Sequence, residues 1–317
     1  MRFGLRPTVR SGLATRQLRR GRRELVVGRA RLKPGREETL PGPTPELPIV
    51  VLDALMPTTQ RMVINRRGST VWEVESHRGH YAVKIGHPVE ATADWPAQPW
   101  TALAPAREGA VLLRLGVEGI AYGEWEHGTW NFQPWHEGPD LYRLWERCRT
   151  KDSPIAPDTS EALECAEALA DLHAKGWAHG DVQPAHFIIG PERTHLIDLA
   201  LAHGGHVPEG HDFPFRGCLV HYEAPEIARS VLDTGEAEPT QEADVYALGA
   251  SLLISATGWR AVEYPDDAPR PVQREAVANG RRRPVKVPGE LGELVDAMLS
   301  HTPGDRPVIS EVVKALT

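Results

Sequence analysis

Cysteine is scarce. Cys148, Cys165 and Cys218 in 317 residues are too few, too far apart and odd in number for a disulfide scaffold or a four-cysteine zinc site, so they are expected as reduced thiols. Long apolar runs are also missing. The longest candidate, 245–259, is broken by Gly249, Ser251, Ser255, Thr257 and Gly258, too short and too polar for a membrane span and better suited to a buried core helix. The first residues lack the apolar stretch of a secretory signal, which gives the expectation of a cytoplasmic protein. No internal repeat is present. Basic charge is sparse outside the first 46 residues. Those carry 12 Lys/Arg against 4 Asp/Glu, while the other 271 carry 24 against 39, a net of -15. An acidic body argues against nucleic acid as the partner of the folded part, because phosphate contacts need clustered Lys and Arg.

What is present suits a globular chain. Hydrophobic residues make up 41% and charged ones 25%, enough for a sizeable core, and the length allows one large domain or two lobes. The Arg-rich head (Arg19, Arg20, Arg22, Arg23) reads as a solvated tail or as a start set too early, with Met56 and Met62 as later starts; binding of nucleic acid or anionic lipid is the alternative. Pro41, Pro43, Pro45 and Pro48 read as a linker. Residues 1–59 are thus expected to form a largely flexible extension.

From residue 60 the pattern is strand-like. Stretches 61–65 and 70–75 are separated by a turn at Arg67-Gly68, and 80–85 follows a polar turn. Along 80–85, Tyr81, Val83 and Ile85 face one way, Ala82 and Lys84 the other. A lysine in an apolar strand needs a partner, since burying its charge alone is costly. A helix starts near Arg107, carrying Glu108, Val111, Leu112 and Leu115 at helical spacing, and strands 120–125 and 129–133 follow. Beyond Glu137-Gly138-Pro139 the character becomes helical: a cap at Asp158-Thr159-Ser160, then helices over 243–256, 291–299 and from 310 on, with short strands 186–189 and 195–199. The expected division is an N-lobe over 60–136 and a C-lobe over 137–317, with a cleft between them that suits a small molecule.

The order of the polar motifs carries the chemistry. Tyr81-Ala82-Val83-Lys84 lies on a strand and Arg107-Glu108 on the next helix. His179-Gly180-Asp181-Val182-Gln183-Pro184-Ala185-His186 and Asp198-Leu199-Ala200 follow. Ala224-Pro225-Glu226, Asp244-Val245-Tyr246-Ala247-Leu248-Gly249 and Arg306 complete the series. Over about residues 60–317 this resembles the protein-kinase superfamily. The resemblance implies a bilobal α+β fold: a small antiparallel β-sheet N-lobe with one main helix, and a larger, mostly helical C-lobe.

It also implies ATP and Mg²⁺ or Mn²⁺, and a protein or peptide substrate. Lys84 would hold the α- and β-phosphates with Glu108 orienting it, Asp181 would take the proton of an attacking hydroxyl, and Asp198 would bind the metal. Ala82 and Val71 would leave room for the adenine, Gln133 would stand at the back of its pocket, and the backbone of His136 would face it. Gln183 takes the place of the loop lysine, and His186 that of an asparagine that binds the second metal. Glu226 and Arg306 would form a scaffold ion pair. His179 is expected as a packed core histidine, and His203, His206 and His211 as a polar loop rather than a zinc site.

Four departures from the family stand out. Ile64, Arg66 and Ser69 fall near the glycine positions of its phosphate loop, with Gly68 alone nearby, so Arg66 or Arg67 would substitute with side-chain charge. His186 offers a nitrogen where Mg²⁺ prefers oxygen, which suggests loss of the second ion or a changed metal preference. Gly180 replaces the arginine that receives an activation phosphate, and the loop looks more like that of the aminoglycoside and choline phosphotransferases. The threonine that helps place a Ser/Thr substrate is missing from the segment before Ala224. The leading reading is a bacterial, eukaryotic-like Ser/Thr kinase. Its rivals are a pseudokinase scaffold without turnover and a small-molecule or biosynthetic-peptide kinase.

Overall fold

Strands β1 (Pro57–Arg66), β2 (Ser69–Ser76), β3 (Gly79–Gly86), β4 (Ala121–Trp125) and β5 (Gly128–Pro134) form one antiparallel sheet in the order β1-β2-β3-β5-β4. This is seen in a computed structural model that describes residues 46–66, 68–91, 97–150 and 155–317. The register sets the two faces, because residues directly opposite each other share a side. Val71 lies opposite Lys84, Ala82 opposite Gln133, and Lys84 opposite Asn131, so these five line one face. Trp72, Val74, Val83, Ile85 and Trp130 line the other and are buried.

Helix α1 (Ile49–Leu55) covers that second face, packing Val51 and Leu55, together with Leu47, into the cluster around Trp72 and Trp130. The chain is therefore folded from Leu47 on, within the stretch read from sequence as an extension. Seven residues, Ile-Val-Val-Leu-Asp-Ala-Leu, are too few to display a helical period, and the β-branched start disguises the helix. The Arg-rich head and Pro41, Pro43 and Pro45 lie outside the described residues. Helix α2 (Ala104–Arg114) packs against the first face. Asn131 donates to the Pro105 carbonyl, and Thr129 accepts from the Ala106 amide.

The second lobe is mainly helical: α3 (Leu141–Leu144), α4 (Thr159–His173), α5 (Pro225–Thr234), α6 (Gln241–Thr257), α7 (Arg270–Asn279), α8 (Gly289–Met298) and α9 (Ile309–Leu316), with the hairpin β6 (Phe187–Ile189) and β7 (Thr194–Leu196). The interrupted apolar run is α6, the central helix, buried from Ala243 to Ala256 and capped by Thr240. Its small residues are packing devices: a Cβ on Gly249 would meet Met298 at 2.9 Å. Helices α5 and α7 were not visible in the periodicity. α5 is marked only by its punctuation, Pro225 in the first turn and Gly235 beyond the last. The molecule has the bilobal α+β, kinase-like fold that the motif order implies. Among the described residues no helix is long and apolar enough to cross a membrane.

Candidate active site

Lys84 stands on β3 with its ammonium 2.8 Å from Glu108 of α2 and 2.9 Å from Asp198 of the other lobe. Burial disfavours its charge, but the carboxylates of Asp198 and Glu108 outweigh that and raise its pKa above the usual lysine value. Glu108, only 1% exposed, is fixed from behind by Asn131 of β5, whose amide donates to it at 3.2 Å, and from below by the Leu199 amide at 3.3 Å. The neighbouring Arg107 crosses to the other lobe. It donates to the carbonyls of Ala200 (2.7 Å) and Ala202 (2.9 Å) and pairs with Asp212 at 3.0 Å.

Asp198 has a left-handed backbone, φ 66°, unusual for a residue with a side chain and a mark of local constraint. One carboxylate oxygen meets Lys84 and the other lies 3.2 Å from His186 Nε2. Burial disfavours the carboxylate, yet Lys84 and His186 hold its pKa well below the normal range. His186 Nδ1 lies 2.8 Å from the carbonyl oxygen of Asp181. Both ring nitrogens face acceptors, an arrangement that favours the protonated ring. Burial opposes this charge, and Asp198 and Asp181 raise the pKa against it.

Asp181 accepts from Gln183 Nε2 at 3.0 Å through Oδ2, whereas Oδ1 is buried without a hydrogen-bond partner among the described residues. Burial, opposed by His186 and helped by Asp198, pushes its pKa up to about 6. The loop that carries it is anchored by Asp244 of α6, which accepts from the His179 amide (2.6 Å), the Gly180 amide (2.9 Å) and His173 Nε2 (2.9 Å). Gly180 has φ +77°, and a Cβ there would sit 2.7 Å from the Leu201 carbonyl, so the backbone itself excludes a larger residue. His179 donates to the Ile197 carbonyl at 3.0 Å and accepts from the Asp181 amide at 3.1 Å. It is a neutral core histidine, its pKa lowered to about 4 by burial and by His186.

Lys84, Glu108, Asp181, Gln183, His186 and Asp198 thus come together in one linked group. Val71, Ala82 and Gln133 share the sheet face of Lys84. His136 follows β5. Its ring stacks on His195 at 3.7 Å, and its amide N–H makes no hydrogen bond among the described residues. The β1–β2 hairpin turns tightly, with Arg66 paired to Ser69, and its tip is tied down by the His87 amide on the Gly68 carbonyl. Arg66 is exposed, and Arg67 lies outside the described residues. His203 approaches Glu238 at 3.6 Å, and His211 meets the Tyr122 ring; neither belongs to a cation-binding cluster among the described residues. Glu226 and Arg306 pair through two contacts of 2.7 Å.

Sequence reasoning missed Asn131, Arg107 as a lobe-to-lobe tie, and a second buried ion pair. Glu223 binds Arg274 of α7 at 2.8 and 3.1 Å and accepts from the Cys218 amide at 3.1 Å. An amide within the strand Trp-Asn-Phe-Gln was the one local signal for Asn131. The Glu223–Arg274 pair spans 51 residues and left none.

No family model matches the chain. It is 28% identical over 190 residues to serine/threonine-protein kinase PkaA of Streptomyces coelicolor, covering 57% of this chain and 32% of that protein. It is 25% identical over 226 residues to serine/threonine-protein kinase 16 of Mus musculus, covering 65% of this chain and 70% of that protein. Serine/threonine-protein kinase pkn3 of Myxococcus xanthus is 26% identical over 229 residues, 66% of this chain and 40% of that protein. The chain therefore spans about a third of PkaA and less than half of pkn3.

Proposed function

Starting from a chain that is protein kinase-like in sequence and fold, we propose that it moves the γ-phosphate of ATP to a hydroxyl, that of a Ser or Thr in a protein or peptide. The observation that carries this reading is the meeting of Lys84 from the sheet lobe with Asp198 from the helical lobe at 2.9 Å, in the group that also contains Asp181. Phosphoryl transfer asks for positioning and charge neutralisation more than for covalent help. Lys84, held by Glu108, offers its ammonium to the α- and β-phosphates. The orphaned Oδ1 of Asp181 is the acceptor for the proton of the attacking hydroxyl. As the substrate's hydroxyl oxygen bonds to the γ-phosphorus, the bond from phosphorus to the bridging oxygen breaks and ADP leaves. The open amide of His136 and the small Ala82 suit the base.

A divalent ion fits this donor set in part. Oxygens of Asp181 and Asp198 and Nε2 of His186 lie within 4.8 Å of one another. Asp198 is the hard ligand that would hold one ion. The oxygen that a second Mg²⁺ would want at position 186 is absent, while Mn²⁺ tolerates an imidazole better. When bound, such an ion supplies positive charge to the phosphate oxygens.

A second reading, a nucleotide-binding scaffold without turnover, is favoured by the tight, glycine-poor β1–β2 hairpin and by the engagement of Asp198 with both Lys84 and His186. Autophosphorylation with radiolabelled ATP separates the two. Label present in the wild type and lost in Asp181→Ala and Lys84→Ala supports the enzyme. A thermal shift with ATP but no label under any divalent ion supports the scaffold.

A further inference from the structure

The tip of the β1–β2 hairpin is fastened to the chain that follows β3. The His87 amide donates to the Gly68 carbonyl at 2.9 Å. A Cβ on Gly68 would meet the His87 carbonyl, a Val89 methyl and the Thr101 hydroxyl at 2.6, 2.6 and 2.7 Å. Thr101 Oγ1 lies 2.7 Å from the carbonyls of both His87 and Gln98, and Val89 pairs with Gln98 in an antiparallel bridge. The hairpin tip and the stretch around Thr101 are therefore one piece. Beside Thr101, Trp100 reaches the helical lobe, where the Arg216 guanidinium stands 4.9 Å from the centre of its ring. The backbone of Arg216 is held from the helical side, its carbonyl accepting from Arg274 at 3.0 Å. Its side chain is not committed. It is 44% exposed and lies 3.6 Å from the half-exposed Glu236, too far for a direct hydrogen bond.

We infer that Arg216 is a two-position latch between the lobes. On Trp100 it couples the hairpin above the nucleotide phosphates to segment 216–223, which lies against the loop of Asp181; swung to Glu236 it lets the two go. The inference rests on the nucleotide reading above and adds how the two halves of that site are kept in step. In the first position the cation lies on an aromatic face of the sheet lobe. In the second it closes the remaining distance to Glu236, in an ion pair wholly within the helical lobe. An exposed cation–π contact and an exposed ion pair are both weak, so neither position dominates and a bound ligand decides between them. A triphosphate drawn under the hairpin fixes its tip, and through His87 and Thr101 it fixes Trp100 within reach of Arg216. Segment 216–223 is then ordered without touching the nucleotide. By linkage, an acceptor that orders the segment tightens the hold on the nucleotide by the same factor. The ties made by Arg107 stop at Phe213, short of this segment.

The test is amide hydrogen exchange of the full chain, read by mass spectrometry over 214–223, with and without Mg²⁺ and the non-hydrolysable ATP analogue AMP-PNP. In the wild type the analogue is expected to slow exchange in that segment about two- to fivefold, equivalent to about 0.5–1 kcal/mol. Trp100→Leu and Arg216→Gln should each abolish the slowing while AMP-PNP still binds, and the agreement of two variants guards against a folding defect in either. Glu236→Gln removes the rival partner and should act the opposite way, slowing exchange even without nucleotide. That gain should vanish when Trp100→Leu is added. A merely structural role for these residues would loosen the segment in every variant. Binding of AMP-PNP without slowing in the wild type, slowing kept in Trp100→Leu or Arg216→Gln, or faster exchange in Glu236→Gln would overturn the inference and leave the nucleotide reading standing. A wild type that does not bind AMP-PNP would overturn both.

Discussion

Arg274→Met is the change from which the structure predicts most. Arg274 is 9% exposed and Glu223 1%, and the two share a pair of charge-assisted hydrogen bonds at 2.8 and 3.1 Å. Arg274 also donates to the Arg216 carbonyl at 3.0 Å, and Glu223 accepts from the Cys218 amide, so the pair grips both ends of segment 216–223. That segment shares a small cavity with Gly180 and Asp244 and so lies against the loop of Asp181. Methionine keeps the bulk of Arg274 but leaves Glu223 with one amide as partner, and an uncompensated buried charge costs about 3–5 kcal/mol. Adding Glu223→Leu removes that charge, and the double variant should recover most of the loss, since apolar replacements of buried pairs are often close to neutral. Urea unfolding of the wild type, both single variants and the double variant gives the coupling energy directly. A parallel labelling assay should show the single variant losing turnover with its ATP affinity kept. A cost below about 1 kcal/mol for Arg274→Met, or a double variant as unstable as the sum of the singles, would refute the reasoning.

The other expectations are narrower. Asp181→Asn should lower turnover by about 10²–10⁴-fold with ATP affinity unchanged, measured by steady-state labelling beside nucleotide titration. His186→Asn replaces an imidazole with an amide oxygen, and should raise the Mg²⁺ bound per ATP-loaded molecule from one ion to two by equilibrium dialysis. His221 accepts from the Tyr264 hydroxyl at 2.6 Å, and burial, then nearby Arg260, lowers its pKa to about 4. An unfolded histidine titrates near 6.5, so the unfolded chain takes up protons first. Stability that is full above that pH falls towards pH 4 by up to about 1.4 kcal/mol per pH unit. Urea midpoints at pH 7, 6 and 5 should show the fall, and His221→Gln should make it shallower, leaving the share that buried His179 contributes. Asp244→Asn turns one acceptor oxygen into a donor among three donors, and should cost about 1–3 kcal/mol in the same unfolding experiment.

The sequence made legible whatever is local or repeats with a short period. Alternation along 80–85 separates Lys84 and Ala82 from Tyr81, Val83 and Ile85, and the sheet register shows that separation. The apolar run of α6 is long enough to be recognised despite its glycines and serines. Helix α1 escaped because its two turns have no polar face to set a period; its meaning comes only from the tryptophans it covers. Among the site residues, those carried by ordered motifs could be named in advance. The positions of Asn131 and Glu223 depend on which side chain a distant element brings near, information that spacing along the chain does not hold.

Gly180 bears on how the site is held together. A left-handed backbone, on which a Cβ would lie only 2.7 Å from the Leu201 carbonyl, leaves no room for an arginine at position 180 to draw an added phosphate into place. In protein kinases such a phosphate orders the segment that carries it against its neighbours. Here permanent contacts span the same gaps. Arg107 ties α2 to the carbonyls of Ala200 and Ala202, Asn131 and the Leu199 amide hold Glu108 inward, and Glu223–Arg274 grips segment 216–223. The ties differ in strength for a physical reason. Asp212, the partner of Arg107, is half exposed and its ion pair is screened, so the two carbonyl bonds carry that joint. The Glu223–Arg274 pair is buried on both partners and screened far less. If these contacts suffice, protein treated with phosphatase labels substrate as fast as untreated protein. A rate that collapses on phosphatase treatment and returns on rephosphorylation would show that the ties are not enough.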